Sequence, residues 1–215
     1  MSRISFVPTS EWSEELRTFV AADSATELEL GITRMLAHSP ELAMGLLGFG
    51  GAMVTKRTLP ERLIELLRLR VAFHNQCRSC MAIRYRAANA DVSEDDVCGL
   101  EQPHEAESLN DRERLAVELG DRFACDHLSI DGAFFEQLKA LFSEAEIVEL
   151  LMHCALYVGV GRLATSGIQA DRDDALDVVL VEAELGGERP LPLLVVDVRW
   201  LLRLGVSRHL ARLLD

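Results

Sequence analysis

From residue 58 to residue 166 the chain alternates short polar segments with apolar residues at helical spacing. Leu63, Ile64, Leu67 and Val71 recur every three or four positions, with arginines between them. This spacing places the apolar side chains on one face and predicts an amphipathic helix. The preceding Thr-Leu-Pro-Glu at residues 58–61 has the pattern of a capping box with proline in the first turn.

Start signals of the same kind predict four further helices, at Ser93, Asn110, Asp131 and Ser143. We expect the last of them to run to about residue 164. Asn75 is predicted to cap another helix, which begins at a pair of cysteines and runs to about residue 88. Strand patterns are nearly absent from this part of the chain. The fold class that we predict is therefore all-α, a helical bundle.

Both ends of the chain differ in character from the middle. Residues 1–39 are predicted to be an N-terminal helical segment, residues 40–170 the helical domain, and residues 171–215 a C-terminal extension of unknown role. A glycine-rich stretch at residues 45–51 lacks the lysine and the spacing of a phosphate-binding loop. We interpret this stretch as a flexible connection or as a place of close helix packing.

Composition and charge narrow the class of protein. Of 215 residues, 49% are apolar and 27% charged, which is the balance of a globular protein with a core. The net charge of −13 argues against nucleic acid and against an anionic membrane surface as partners. The apolar runs at residues 44–54 and 150–160 are shorter than the ~20 residues of a membrane span. Since no signal peptide is recognisable at the start, we expect a soluble cytoplasmic protein.

The five cysteines are Cys77, Cys80, Cys98, Cys125 and Cys154, and only the first two are close in sequence. An odd number in a chain of this length is unlike a secreted disulfide framework. In a reducing compartment, a close pair points to metal binding or redox catalysis. Cys98 and Cys125 are interpreted as packing or incidental thiols, and Cys154, beside His153 in an apolar run, as a core residue.

At a helix start, Cys77 and Cys80 would lie on one face and could close a small disulfide. The partial positive charge of the helix N-terminus favours a thiolate, and Arg84, four residues past Cys80, adds a full positive charge. This pattern indicates peroxide reduction or disulfide exchange. Inert packing is one alternative. Structural zinc is another, although no second ligand pair has matching spacing and the histidines stand singly. We expect no metal and no cofactor.

Glu65, Cys77 and Cys80 have the spacing Glu-x11-Cys-x2-Cys, with Asn75 beside the dithiol. This pattern resembles the signature of the alkyl hydroperoxidase D-like / carboxymuconolactone decarboxylase family. Residues 109–116 and 142–150 are similar to that family too, so the resemblance covers about residues 40–166. It implies an all-helical fold and assembly into trimers or hexamers. It also implies that Cys80 attacks a peroxide, that Cys77 resolves the product, that Glu65 joins a proton relay, and that a lipoylated partner supplies electrons.

The chain departs from the peroxidase pattern four residues after the second cysteine, where Arg84 replaces a histidine. Arginine stays protonated near neutral pH, so it can stabilise a thiolate but is a poor proton relay. His74, about one helical turn before Cys77, is a candidate replacement for the relay, or else an ordinary histidine at a helix end. Glu65 has an alternative interpretation as part of a surface charge ladder with Arg62 and Arg68.

Three functions follow from these observations. The leading one is a dithiol-dependent peroxidase, that is, a peroxiredoxin-type (alkyl hydroperoxide) oxidoreductase. The second is a lactone decarboxylase of the same fold, whose acid–base chemistry needs no dithiol, so that the presence of both cysteines argues against it. The third is a non-catalytic oligomer in which the dithiol senses redox state.

Overall fold

The computed structural model describes residues 2–25, 27–77, 80–81, 91–104 and 106–168, with the backbone alone at residues 27–29. The described residues form eight α-helices and no strand. The helices are α1 Glu14–Phe19, α2 Glu27–Leu36, α3 Pro40–Thr55, α4 Glu61–His74, α5 Glu94–Gly99, α6 Asp111–Cys125, α7 Gly132–Leu141 and α8 Glu144–Gly167. The all-α bundle predicted from the sequence is confirmed. The predicted extension at residues 171–215 lies outside the described residues.

Four of the predicted helix starts are confirmed. The side chain of each cap residue accepts a hydrogen bond from the backbone N–H three residues later, which satisfies one of the free donors of the first turn. In three cases the side chain of that later residue also bonds back to the cap, which completes a capping box. These caps are Ser93, Asn110 and Ser143, with the capping box, and Asp131, without it.

The predicted capping box at Thr58 is wrong. Helix α4 begins at Glu61, and no side chain caps it. The Thr58 hydroxyl instead donates to the carboxylate of Glu149 in α8, at 2.6 Å. The backbone N–H groups of Thr58 and Leu59 donate to the same carboxylate, at 3.0 and 3.2 Å. A residue from a distant part of the chain therefore replaces the local partner.

Helix α4 lies at the centre of the fold, where it packs against α6 and α8. Leu63, Leu67 and Val71 of α4 belong to the main core. Leu66 and Leu69, on another side of the same helix, pack into a second cluster with residues of α5 and α6. Because α4 is buried on both of these sides, two charged residues along it, Glu65 and Arg68, are buried as well.

Helix α3 contains the glycine-rich stretch, so the interpretation as a flexible connection is wrong. The helix runs without interruption from Pro40 to Thr55. Ala43 and Leu47 of α3 pack with Leu16 and Phe19 of α1 in a separate cluster. The boundary that the sequence predicts at residue 39 stays a prediction.

Helix α8 has two apolar faces. One of them enters the main core through Ile147 and Leu150. The other exposes Val148, Met152 and Leu163, whose exposed fractions are 55%, 39% and 39%. By length and composition alone α8 is apolar enough to cross a membrane, and 39% of its most apolar window is buried inside the protein. The absence of a membrane partner stays a prediction.

Candidate functional site

A sharp turn joins the end of α4 to the two cysteines. Asn75 is the last residue with helical backbone angles, and Gln76 follows with a φ of 53°. The N–H of Gln76 donates to the Phe73 carbonyl at 3.0 Å, and the N–H of Cys77 donates to the Ala72 carbonyl at 3.2 Å. These two bonds form a Schellman motif, which closes the helix end and reverses the chain direction. Asn75 therefore ends α4, and its predicted role as the cap of the following helix is wrong.

Cys77 itself caps the next helical turn. The N–H of Met81 donates to the Cys77 carbonyl at 2.9 Å, and the N–H of Cys80 donates to the Cys77 sulfur at 3.3 Å. Cys80 and Met81 have helical backbone. The predicted continuation of this helix to about residue 88 and the candidate residue Arg84 lie outside the described residues. Both cysteines thus occupy a helix N-terminus, where partial positive charge favours a thiolate.

Cys77 and Cys80 are joined by a disulfide, with their Cα atoms 5.1 Å apart. Cys77 is 1% exposed, whereas Cys80 is partly exposed, so Cys80 is the more accessible of the two. Cys154 is a buried free thiol in the core, and burial raises its pKa to about 12. That thiol stays protonated at neutral pH and is not a nucleophile.

A buried ion pair connects α4 to the dithiol. Glu65 and Arg68 are 4% and 5% exposed. The Arg68 guanidinium donates to both carboxylate oxygens of Glu65, each at 2.6 Å, and to the backbone carbonyl of Cys80, also at 2.6 Å. Burial of Glu65 contradicts the surface charge ladder. The arginine proposed as its other neighbour, Arg62, binds Asp96 and Glu113 instead.

Arg68 is a site residue that lies outside the cysteine–glutamate motif of the sequence. Arg68 lies between Leu67 and Leu69 in a helix that is apolar on two sides. These apolar neighbours are the feature of the sequence that indicates its burial. A charged side chain enclosed in this way needs a partner of opposite charge. Glu65, three residues earlier, is that partner.

His74 contacts α6. Its Nε2 lies 2.6 Å from Oδ1 of Asp121, and its Nδ1 lies 3.2 Å from the sulfur of Cys125. Arg70 donates to the same Asp121 carboxylate. Both ring nitrogens of His74 are therefore engaged by residues of α6. Its predicted part in a relay to Cys80 stays a prediction.

The turn before the dithiol rests on α8. The side-chain amide of Asn75, which is 8% exposed, donates to the Tyr157 carbonyl at 2.9 Å. A Cβ atom on Gly161 would lie 2.2 Å from that amide nitrogen, a distance that real Cβ contacts do not reach. Glycine at position 161 is thus what allows Asn75 to approach α8.

One helical turn before Tyr157, the same helix carries a buried histidine. His153 is 2% exposed, and its Nδ1 lies 3.1 Å from the Tyr157 hydroxyl. Burial lowers the pKa of His153 to about 4, against an opposing effect of the Glu149 carboxylate. His153 is therefore neutral at neutral pH, as the sequence interpretation of a core residue requires.

The described residues combine a helical bundle with a Cys-x-x-Cys pair at a helix start, beside a buried Glu–Arg pair. Among these residues, no three His, Cys, Asp or Glu side chains have the arrangement of a metal site. The arrangement defines a class, all-α proteins with a redox-capable dithiol.

The sequence matches no model of a known protein family and no curated protein. Solved structures share its fold. A protein of unknown function from Agrobacterium tumefaciens, named as a candidate antioxidant defence protein AhpD, is 22% identical, with a TM-score of 0.56 over 61% of this chain and 91% of that one. The alkylhydroperoxidase AhpD core of an uncharacterised peroxidase-related protein from Ralstonia eutropha is 17% identical, with a TM-score of 0.63 over 80% and 93%. The debrominase Bmp8 is 17% identical, with a TM-score of 0.65 over 83% and 96%.

These likenesses show that the chain has the AhpD-like fold. The resemblance found in the sequence is confirmed at the level of the fold.

Proposed function

We propose that this protein is a dithiol-dependent peroxidase, a thiol oxidoreductase that reduces hydroperoxides through Cys77 and Cys80. The observation that carries the proposal is the position of this pair at a helix start, with Cys80 partly exposed, Cys77 buried and the Glu65–Arg68 pair bound to the Cys80 backbone. The names of two proteins with this fold, one peroxidase-related and the other a candidate antioxidant defence protein, agree with it.

In the first step the Cys80 thiolate attacks a peroxide oxygen. An S–O bond forms, the O–O bond breaks, and the leaving alkoxide takes a proton to become an alcohol. The sulfur is oxidised to a sulfenic acid, and the peroxide is reduced by two electrons. Cys80 is assigned this step because it is the more accessible of the two cysteines.

In the second step the Cys77 thiol attacks the Cys80 sulfenic acid. The disulfide forms and water leaves. A dithiol reductant, which we propose to be a lipoylated protein, then exchanges with the disulfide and returns both cysteines to thiols while becoming a disulfide itself. The disulfide of the structure corresponds to the oxidised form in this cycle.

The surrounding charges have separate roles in this proposal. Arg68 holds the Cys80 backbone and pairs with the buried Glu65 carboxylate. Glu65 is the proposed member of a proton relay. Arg84, four residues past Cys80 in the sequence, is proposed to stabilise the thiolate by its charge. His74 stays a candidate for proton transfer.

We also propose that the protein works in the cytoplasm as a homo-oligomer, a trimer or a hexamer. The exposed apolar face of α8 supports assembly, because covering such a face in water lowers the free energy of the protein. The net charge of −13 supports the absence of nucleic acid from the partners.

The deciding experiment measures repeated consumption of an alkyl hydroperoxide with dihydrolipoamide as the reductant. We expect the wild-type protein to consume many equivalents and Cys80→Ser to consume none through the dithiol. Cys98→Ser is the matched control, because Cys98 is an exposed free thiol outside the pair, and it should keep wild-type turnover.

A wild-type protein that reacts once and then stops in the presence of the reductant would favour the redox-sensing oligomer. Turnover that survives in the double variant Cys80→Ser, Cys125→Ser would refute the assignment of Cys80 as the attacking residue, because this variant also lacks the exposed thiol of Cys125.

A further inference from the structure

Outside the dithiol, the side chains of Cys125, His74 and Asp121 form a hydrogen-bonded row. Cys125, the last residue of α6, is a free and exposed cysteine. Its sulfur lies 3.2 Å from Nδ1 of His74, and Nε2 of His74 lies 2.6 Å from Oδ1 of Asp121. A nucleophile, a base and a carboxylate that orients the base thus follow one another, which is the arrangement of activated nucleophiles.

The carboxylate of this row is held in place. Arg70 donates to both oxygens of Asp121 and to the carbonyl of Leu100. Because Asp121 can only accept hydrogen bonds, it fixes Nε2 of His74 as the donor and leaves Nδ1 free to accept the thiol proton.

Other charges also reach this end of α6. The C-terminus of α6 carries partial negative charge, and the carboxylate of Asp126 follows Cys125 directly in the sequence. Arg162 of α8 opposes them, since its guanidinium donates to the Ala124 carbonyl at 2.6 Å. Arg162 therefore places positive charge at the backbone carbonyl of the residue before Cys125.

We propose that Cys125, His74 and Asp121 form a second thiol site, at which Cys125 is oxidised by small hydroperoxides independently of the dithiol. His74 takes the thiol proton at Nδ1, and the sulfur attacks a peroxide oxygen. The S–O bond forms, the O–O bond breaks, and the leaving alkoxide takes the proton back from His74 to become an alcohol. The sulfur is oxidised by two electrons to a sulfenic acid, and the peroxide is reduced by two electrons.

A sulfenic acid at this position is open to a small thiol. Condensation with a low-molecular-weight thiol such as glutathione forms a mixed disulfide and releases water. The site thus receives a reversible modification on an exposed surface, whereas Cys154 in the core, with its pKa raised to about 12, does not.

The test uses the full chain with Cys77→Ser and Cys80→Ser, so that the outcome does not depend on the proposed peroxidase function. The protein is treated with an alkyl hydroperoxide and a dimedone-type sulfenic acid probe, and mass spectrometry follows Cys125 and Cys98. Both are exposed free cysteines, which makes Cys98 the internal reference. A general base of this kind should make Cys125 react about tenfold faster than Cys98, or more.

Two variants test the roles of the row. His74→Gln should lower the Cys125 rate to about that of Cys98, whereas His127→Gln should leave it unchanged, since His127 lies two residues from Cys125 and outside the row. Asp121→Asn should slow the oxidation of Cys125, because it removes the negative charge that orients His74. Asp121→Glu keeps this charge and should retain part of the rate. A merely structural role of Asp121 would not require the charge.

Equal rates at Cys125 and Cys98 in the parent protein would overturn the proposal, and this comparison needs no further variant. A Cys125 rate that is unchanged in a folded His74→Gln protein would overturn it as well.

Discussion

At the scale of single residues, Arg68 is a buried charge that positions the dithiol through a hydrogen bond to its backbone. It is 5% exposed and bonds to Glu65 and to the Cys80 carbonyl. The attachment point is backbone, so its position does not depend on the oxidation state of the sulfur. The pair is thus bound to the backbone of the dithiol turn in the disulfide form that the structure shows.

We predict that Arg68→Met destabilises the protein strongly, because it leaves the Glu65 carboxylate buried without its partner. Removal of one member of a buried ion pair costs about 3–5 kcal/mol. The free energy of unfolding from urea titration measures this loss. Lys139→Met is the control, since Lys139 forms an exposed pair with Glu136 at the same i,i+3 spacing, and it should cost ~1 kcal/mol or less. Equal losses in the two variants would contradict the prediction.

His153 makes stability depend on pH. Its pKa of about 4 lies below the ordinary value of 6.5, so the unfolded chain binds more protons between these two pH values. The free energy of unfolding should therefore fall as the pH drops from 6.5 to 4, by at most ~1.4 kcal/mol per pH unit from this residue. Glu149 and Arg57 face His153 with opposite effects on its pKa.

His153→Gln should flatten this slope, measured by urea unfolding at several pH values. His104→Gln should leave it unchanged, because His104 is exposed. A His153→Gln protein with the slope of the wild type would show that other groups cause the pH dependence.

The sequence allowed Cys77, Cys80 and Glu65 to be selected because they fall within one short motif. It did not reveal the row at Cys125. His74 is 47 residues from Asp121 and 51 from Cys125. No local sequence pattern connects these three residues, because they come together only when α4 and α6 pack against each other.

At the scale of elements, the confirmed caps are those whose partner lies three residues away, such as Ser93 with Asp96. Thr58 and Asn75 have residue types that also cap helices, but their side chains bond to α8. Local sequence cannot separate the two cases, since the same hydroxyl or amide serves either partner. Helix positions were thus predictable, whereas the contacts that hold α4 and the dithiol turn against α8 were not.

We predict opposite effects for two glycines of α8. Gly161→Ala should destabilise the protein by ~1–3 kcal/mol, because the new methyl group would overlap the Asn75 amide. Gly159→Ala should stabilise it by about 0.5–1 kcal/mol, because a Cβ there meets nothing within 4 Å and alanine favours the helix. Thermal or urea unfolding compares the two variants. A neutral Gly161→Ala would mean that Asn75 moves aside at little cost.

At the scale of the whole molecule, apolar residues are left uncovered on α8. Val148 is 55% exposed and Met152 is 39% exposed, one helical turn apart on the same face. A helix that is apolar on two faces is typical of burial on both. In the described part of the chain only one of these faces is covered.

We predict that the protein has the mass of a trimer or of a multiple of it in light scattering at micromolar concentration. Val148→Glu should shift the mass towards the monomer, because a carboxylate cannot be buried without a partner. Leu128→Glu is the control, since Leu128 is 80% exposed and lies outside α8, and it should keep the assembly. A monomeric wild type would refute the prediction.

Cys77 belongs to two structural elements at once. Its N–H closes the end of α4, while its carbonyl and sulfur begin the next helical turn. In a thermodynamic cycle, the free energy by which folding favours the disulfide over the dithiol determines how far the midpoint potential of the pair differs between the folded and the unfolded chain. About 30 mV corresponds to 1.4 kcal/mol for a two-electron couple. A change in the packing of α4 that alters this folding free energy should therefore change the midpoint potential of the cysteine pair by the corresponding amount.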